Sequence, residues 1–440
     1  MIRVSTYEEA EAYLLGTIDE VTSPRTSYKL DRIRDLLRNL GDPHRAYATI
    51  HVGGTSGKGS TATMIAGALR ASGKRTGLHT KPHLHSMTER ARIDGVPISR
   101  ERFAALLTES MPAIERTTAA YGRPTYYETL LALAFAYFCA ERVEVAAIEV
   151  GLGGRLDGTN VLEPVVAAIT SVGFDHTEIL GDRLEEIAFE KAGIAKRGVP
   201  LVLGSIPPAA RAVIEAYAAQ TGAPIVYADD VVRVTVQSEE PRSGAILQVV
   251  TPRGTYALRL PVQGVFQRRN AAVAIAVLEQ LAGDLRPTNE AIVAGFGALE
   301  IPGRMELIPM KPPVVLDMAH NAEKAESLVA SLRETFPGQR IHYVVAIGET
   351  KDARRILEAL AALPCTFTFT SFSASGRRAI APSRLSSIAE SFGQWGRAIG
   401  DPIEAVTVAR RMATMDDVVV VTGSTFVVAR LREWFVPVSV

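Results

Sequence analysis

The stretch from Gly53 to Ser60, GGTSGKGS, combines glycines, hydroxyls and one lysine in a pattern suited to holding phosphate. Backbone N–H groups in a glycine-rich turn point inward and, with the N-terminus of a following helix, bind phosphate oxygens. Lys58 is placed to reach the β- and γ-phosphates, and the Ser60 hydroxyl to ligate magnesium. The common form of this loop has Ser or Thr directly after the lysine, whereas here Gly59 intervenes. The alternative is a glycine turn with a surface lysine. An apolar strand before the loop and a helical pattern after it favour phosphate. Gly54, Thr55, Ser56, Gly57, Lys58, Gly59 and Ser60 are therefore the expected nucleotide-binding loop.

Two further clusters carry chemistry. In EVGLGGRLDGTN, Glu149 ends an apolar strand, and in open α/β sheets ligands gather beyond the carboxyl ends of strands. A carboxylate there suits magnesium, whose oxygen ligands usually include one or two carboxylates with phosphate and water. A solvated strand end is the alternative for Glu149 taken alone. SVGFDHTEILG follows the next strand in the same way and brings Asp175 and His176 to that edge. A lone histidine is more often structural than a ligand. Two successive strands ending in such groups behind a phosphate loop point to function.

The elements that must position these groups follow from periodicity. Leu30, Ile33, Leu36, Leu37 and Leu40 recur at helical spacing until Gly41 and Pro43. ATIHV then reads as a strand, and STATMIAGALRASG as the helix after the loop. RTGLHT, VEVAAIEV and VVAAITS read as further strands, with helices near Arg100–Tyr121 and Tyr127–Glu141. LEEIAFEKAGIAKRG reads as a helix ending at Gly198. Such alternation implies a mostly parallel sheet covered on both faces. VVRVTVQ, AILQVV and TYALRL, separated by Pro-Arg-Ser-Gly and Pro-Arg-Gly turns, read as a small antiparallel meander. Helices resume at Arg269–Leu281 and Asn289–Leu299. IPG near Glu300–Gly303 then marks a boundary. Beyond it VVLDM, HYVVAIG, TFTFT and VVVVTGS alternate with helical stretches. The expected fold class is thus α/β throughout. Residues 1–299 form a P-loop-type, parallel-sheet ATPase domain carrying the meander, and residues 300–440 a smaller Rossmann-like domain. The active site is expected in the cleft between them.

Composition narrows the function classes. The chain has 440 residues, too many for one ordinary core. Its 48 basic and 48 acidic residues leave no footprint for nucleic acid and no polybasic membrane patch, so phosphate recognition must be local. The longest apolar run, TLLALAFAYFCA, is too short to span a bilayer, and the polar N-terminus lacks a signal-peptide core. Cys139 and Cys365, far apart in apolar contexts, read as buried hydrophobes. A cytoplasmic monomer acting on small molecules is the expectation.

The three motifs, together with YKLDRIRDLLRNLGDPH, PTYYETL, FEKAGI, FQRRNA, PGRME, DMAHN and VTGS, run nearly end to end in one order. In this the chain resembles the folylpolyglutamate synthase/dihydrofolate synthase family of the Mur ligase superfamily. The resemblance implies an ATP- and magnesium-dependent ligase that adds L-glutamate to a folate or dihydropteroate carboxylate through an acyl phosphate. It implies that Lys58 binds phosphate, and that Ser60, Glu149 and His176 hold magnesium. Lys191 matches a lysine carried as a carbamate, since a free ammonium beside metals would repel them. Asn270, Arg304 and Asp317 match ATP-contacting positions, and His320 an interdomain-cleft histidine with a catalytic part beside Lys58 and Lys191. Asp157 falls in the loop that contacts the pterin substrate in bifunctional members of the family. From the residues alone, Lys191 reads as a solvated helix lysine and Asn270 could cap a helix. Arg304 could be an ordinary surface arginine, but its place at the domain boundary would let a cation reach ATP bound by the other domain.

The sequence departs from the family at four positions. Ser56 replaces the usual asparagine, and its hydroxyl can still bond the loop. Lys81 stands before Pro82 where a serine helps hold magnesium; a charged ammonium cannot ligate a metal. It either lends positive charge to phosphate or a substrate carboxylate, or points away. Lys81 and His83 are accordingly assigned with Asp157 to the substrate side. His79, His83 and His85 could suggest zinc, but nothing else supplies a zinc-like set. Gly158 and Ala322 replace an alanine and a proline. Three other readings stay open: a Mur-type ligase joining an amino acid to a different carboxylate, a nucleotide-binding regulatory module without ligase chemistry, and a simple kinase or ATPase.

Overall fold

Strands buried along their whole length, such as Val145–Glu149 and Val418–Thr422, need cover on both faces, and the chain supplies it with helices. In a computed structural model, residues 4–17, 30–240, 244–374 and 377–436 are described. Tyr28 and Lys29 of the YKLDRIRDLL motif, and Pro241–Ser243 of the first meander turn, lie outside them. The chain divides into two compact units. The first is drawn from Met1–Thr235, Leu247–Leu258 and Arg269–Leu299, the second from Val236–Ile246, Arg259–Arg268 and Glu300–Val440.

The first unit is built on eight strands: β1 (Ala48–Gly53), β2 (Thr76–His79), β3 (Arg92–Ile93), β4 (Val96–Pro97), β5 (Val145–Glu149), β6 (Val166–Ser171), β7 (Leu201–Ser205) and β8 (Ile225–Tyr227). Their order is β4-β3-β2-β5-β1-β6-β7-β8. From β2 to β8 neighbours run parallel, while β3 and β4 extend the sheet antiparallel. Ala146 and Ile148 of β5 join a core with Leu14, Ile33, Leu107 and Phe135. Ala167 and Ile169 of β6 join another with Ile187, Ala188 and Ile214. β9 (Arg233–Glu240), β10 (Gly244–Thr251) and β11 (Gly254–Leu260) make the expected three-stranded meander.

The second unit holds β12 (Glu306–Ile308), β13 (Val314–Leu316), β14 (Ile341–Val345), β15 (Cys365–Phe369), the short pair β16 (Ser373–Ala374) and β17 (Arg377–Arg378), β18 (Gly396–Ala398) and β19 (Val418–Thr422). Its main sheet has the order β12-β13-β19-β14-β15-β18, parallel except at β12. Tyr343, Val345, Phe367, Phe369, Val418 and Val420 face helices through Leu328, Leu332, Ile356 and Leu385.

Two helix limits differ from the sequence reading. The helix expected to run to Gly198 spans Leu184–Ala192 and ends at Gly193. There the loop carrying Arg155 presses so close that an added Cβ on Gly193 would lie 2.3 Å from the Arg155 Cβ, and the Gly193 carbonyl accepts from Asn160 Nδ2. The chain turns there, and Ile194 is fully buried. The other helix begins at Val265 rather than Arg269, so Asn270 lies within it and is not its cap. Among the described residues, no helix is long and apolar enough to cross a membrane.

Candidate active site

β1 lies at the centre of the first sheet between β5 and β6, with Val52 opposite Glu149 and Gly53 opposite Ile169. Three carboxyl strand ends therefore meet where the glycine-rich loop leaves β1. The loop turns into the helix Lys58–Ala71 at Gly57, whose φ is +84°. A Cβ added to Gly57 would sit 2.2 Å from Asn270 Oδ1, so Asn270 is pressed against the turn.

Hydroxyls from the end of β6 fasten the loop. The Ser56 N–H donates to Ser171 Oγ at 3.0 Å, and Thr170 and Ser171 donate to the Ser56 carbonyl at 2.5 and 3.1 Å. Thr55 Oγ1 donates to the Gly173 carbonyl and accepts from its N–H, at 3.1 and 3.0 Å. Ser56 is thus tied through its backbone, which explains why its side chain can depart from asparagine. The Lys58 ammonium folds back over the turn, donating to the Gly54 and Thr55 carbonyls at 2.8 and 3.2 Å.

Gly59 explains the irregular spacing after the lysine. A Cβ there would lie 3.0 Å from Glu149 Oε2 and 3.6 Å from Oε1, so its absence lets the carboxylate lie against the loop; Ser60, the next residue, is buried. The Lys81 N–H donates to Glu149 Oε2 at 2.9 Å. The position unable to ligate a metal through its ammonium still orients the carboxylate through its backbone. His176, beyond β6 with φ +52°, has Nε2 3.9 Å from Asp175 and Nδ1 3.6 Å from Glu178. Among the described residues no group of three or more His, Cys, Asp or Glu could hold a metal by itself. The donor set fits magnesium rather than zinc: one buried carboxylate and one hydroxyl at a phosphate loop, with the remaining positions left for phosphate and water. His79, His83 and His85 form no such group either.

Lys191 lies in the last turn of the helix Leu184–Ala192 and is 3% exposed, so it is not the solvated lysine that the sequence alone suggested. Its neighbour Glu190 is paired with Arg155 at 2.8 Å. Burial lowers the His83 pKa to about 4, and its Nδ1 accepts from Arg90 Nε at 2.9 Å. Asp157, also buried, accepts from Leu152 N–H, from the Thr159 N–H and hydroxyl, and from the Tyr127 hydroxyl. Burial raises the Tyr127 pKa well above its ordinary value, so the phenol stays protonated.

In the second unit, Asp317 follows β13 and accepts from the Met305 and Ala319 N–H groups at 2.8 and 2.9 Å. Burial raises its pKa, opposed by the nearby Arg304 charge. His320 Nδ1 donates to the Met318 carbonyl at 2.8 Å, which leaves Nε2 to accept from Lys324 Nζ at 3.2 Å.

Fold and loop define a Mur-type ligase. The Mur ligase middle domain matches residues 52–278, and the Mur ligase glutamate ligase domain residues 303–425. The chain is 33% identical to dihydrofolate synthase/folylpolyglutamate synthase of Bacillus subtilis strain 168, over 97% of this chain and 98% of that protein. It also resembles the Mycobacterium tuberculosis folylpolyglutamate synthase solved with ADP, with a TM-score of 0.88 and 31% identity over 99% of each chain. The bifunctional enzyme of Yersinia pestis solved with AMPPNP and a manganese ion gives 0.84 and 28% over 99% of each. The chain belongs to the folylpolyglutamate synthase/dihydrofolate synthase family of Mur ligases.

Proposed function

We propose that the chain is an ATP-dependent ligase joining L-glutamate to the carboxylate of a folate-type acceptor. The observation that carries this reading is the Glu149 carboxylate lying against Gly59, the residue before Ser60, in a glycine-rich loop that opens a helix, an arrangement suited to nucleotide and a divalent cation. The family supplies the reaction type. The γ-phosphoryl group passes from ATP to an acceptor carboxylate oxygen, and ADP leaves. The glutamate amine then attacks the acyl carbon; the carbon–oxygen bond to phosphate breaks, the amine gives up a proton, and an amide forms.

Such transfer depends on positioning and charge neutralisation more than on covalent chemistry by the protein. Backbone N–H groups of Gly57–Ser60 cradle phosphate oxygens, and Lys58 exchanges its two carbonyl partners for phosphate. Ser60, Glu149 and His176 would hold magnesium, which when bound draws together the phosphates and offsets their charge. Lys191 is assigned a carbamate, an anion that suits a buried lysine near a cation better than an ammonium does. Asn270, Arg304 and Asp317 are assigned to the nucleotide, His320 to catalysis, and Lys81, His83 and Asp157 to the acceptor.

Lys58→Ala is expected to abolish glutamate-dependent ADP release. Retained glutamate-dependent turnover would overturn the assignment. Product mass spectrometry with dihydropteroate, dihydrofolate and tetrahydrofolate, each with glutamate and ATP, identifies the acceptor; no amide product from any of the three would move the reading to another carboxylate.

A further inference from the structure

Behind the acceptor-side loop, a chain of buried groups leads from Asp157 to the strand that feeds the phosphate loop. Asp157 Oδ2 accepts from the Leu152 N–H at 2.7 Å. Its Oδ1 accepts from the Thr159 N–H at 3.0 Å, the Thr159 hydroxyl at 2.5 Å and the Tyr127 hydroxyl at 3.3 Å. A threonine hydroxyl has one proton. Thr159 spends it on Asp157, so its oxygen can only accept from His51 Nε2, 2.8 Å away. His51 must therefore carry its proton on Nε2, and its Nδ1 has no partner. His51 is fully buried, and burial lowers its pKa to about 4, with Asp157 and Lys196 the charged groups that face it. A neutral ring has one proton to give, and the geometry places it toward Thr159.

The ring sits on β1 two residues before Gly53, so it is fixed by the same strand that delivers the phosphate loop. With the Nε2–H directed at Thr159, the hydroxyl has one orientation, and Asp157 Oδ1 stays aimed at Tyr127. Without that donor the hydroxyl oxygen has no second bond to fix its rotation, and its bond to the Asp157 carboxylate loses its set direction.

We propose that His51 is a positioning residue for the acceptor: through Thr159 it fixes the Asp157 carboxylate and, with it, the surface that Asp157 and Tyr127 present. This rests on the reading that the loop bearing Asp157 faces the acceptor. The carboxylate's directionality matters only to a partner that bonds it, so the effect belongs to acceptor binding and not to ATP binding.

The test compares His51→Leu, which removes the donor, with His51→Gln, whose amide N–H can reach toward Thr159. Thr159→Val removes the hydroxyl at nearly constant shape, and Asp157→Ala removes the end of the chain. For His51→Leu and Thr159→Val the acceptor KM is expected to rise roughly tenfold, as for loss of one directed hydrogen bond. The KM for ATP should stay within about twofold, and His51→Gln should recover most of the acceptor affinity. If His51→Leu does not fold, Thr159→Val decides, and an unchanged acceptor KM there overturns the role. Equal shifts in both KM values, or no rescue by glutamine, also overturn it. If Asp157→Ala raises the acceptor KM while His51→Leu and Thr159→Val do not, only the part given to His51 fails. If none of the variants moves it, the acceptor-facing reading of the loop fails as well.

Discussion

Gly57 and Gly59 show how much of the proposed phosphate site depends on side chains that are missing. At Gly57 both the positive φ and the Asn270 amide 2.2 Å from the would-be Cβ forbid a larger residue. Gly57→Ala should therefore store about 1–3 kcal/mol of backbone strain in the loop. Because that strain falls where N–H groups converge, ATP affinity measured by calorimetry is expected to drop at least roughly tenfold, with far-UV circular dichroism unchanged. An unaltered affinity would show that the turn does not set the phosphate geometry. The loop holding Lys58 and Ser60, and the strand end at Glu149, were legible in the sequence because each is local: a turn before a helix and the last residue of an apolar strand. The hydroxyl clamp was not, since Thr170 and Ser171 stand 114 and 115 residues from the Ser56 carbonyl they bond, and TS at a strand end carries no signal of its own. His51 looked like one more strand residue. The burial of Lys191 was equally hidden, as a helix lysine is ordinarily solvated.

At the scale of elements, the helix Tyr126–Ala140 brings Tyr127 to Asp157, and its start is closed by a capping box. Thr125 accepts from the Glu128 N–H at 3.1 Å, and the Glu128 carboxylate accepts from the Thr125 N–H at 2.9 Å. Arg32 adds an ion pair to Glu128 at 2.7 Å. Removing the hydroxyl in Thr125→Ala should lower unfolding free energy by about 1 kcal/mol, read from urea melts; a change within error would mean that Arg32 and packing hold the turn without it. The long strands and helices were readable because burial writes a period into the sequence. Helix ends were less so. FEKAGIAKRG keeps helical composition past Ala192, and only the close approach of the Arg155 loop to Gly193 stops it. The edge strands β12 and β18 are three residues each, too short for any alternation to show.

For the whole molecule, equal numbers of acidic and basic residues say nothing about where pH acts, but the buried histidines do. His51 and His79 are both 0% exposed, and burial lowers each pKa from 6.5 to about 4. His79 has Arg90, Asp157 and Lys81 as its charged neighbours. Both belong to the first compact unit, as does the less buried His83. A depressed histidine pKa means that the folded state stays neutral while the unfolded chain takes a proton below about pH 6.5. Stability from this source is thus complete above 6.5 and is lost as pH falls toward 4. Each such histidine contributes a slope of about 1.4 kcal/mol per pH unit, so His51 and His79 give about 3, and His83, lowered likewise, brings the sum to about 4. Urea melts at pH 7, 6 and 5, resolved by peptide hydrogen exchange, should show the segments around β1, β2 and β5 losing protection in step with that slope. His79→Phe replaces a fully buried, titratable ring by an apolar one of similar shape. It should therefore remove about 1.4 kcal/mol per pH unit from the slope while leaving the His51 share in place. A slope equal to that of the unsubstituted protein would mean that His79 takes its proton in the folded state, and that the interior beside β2 admits the charge.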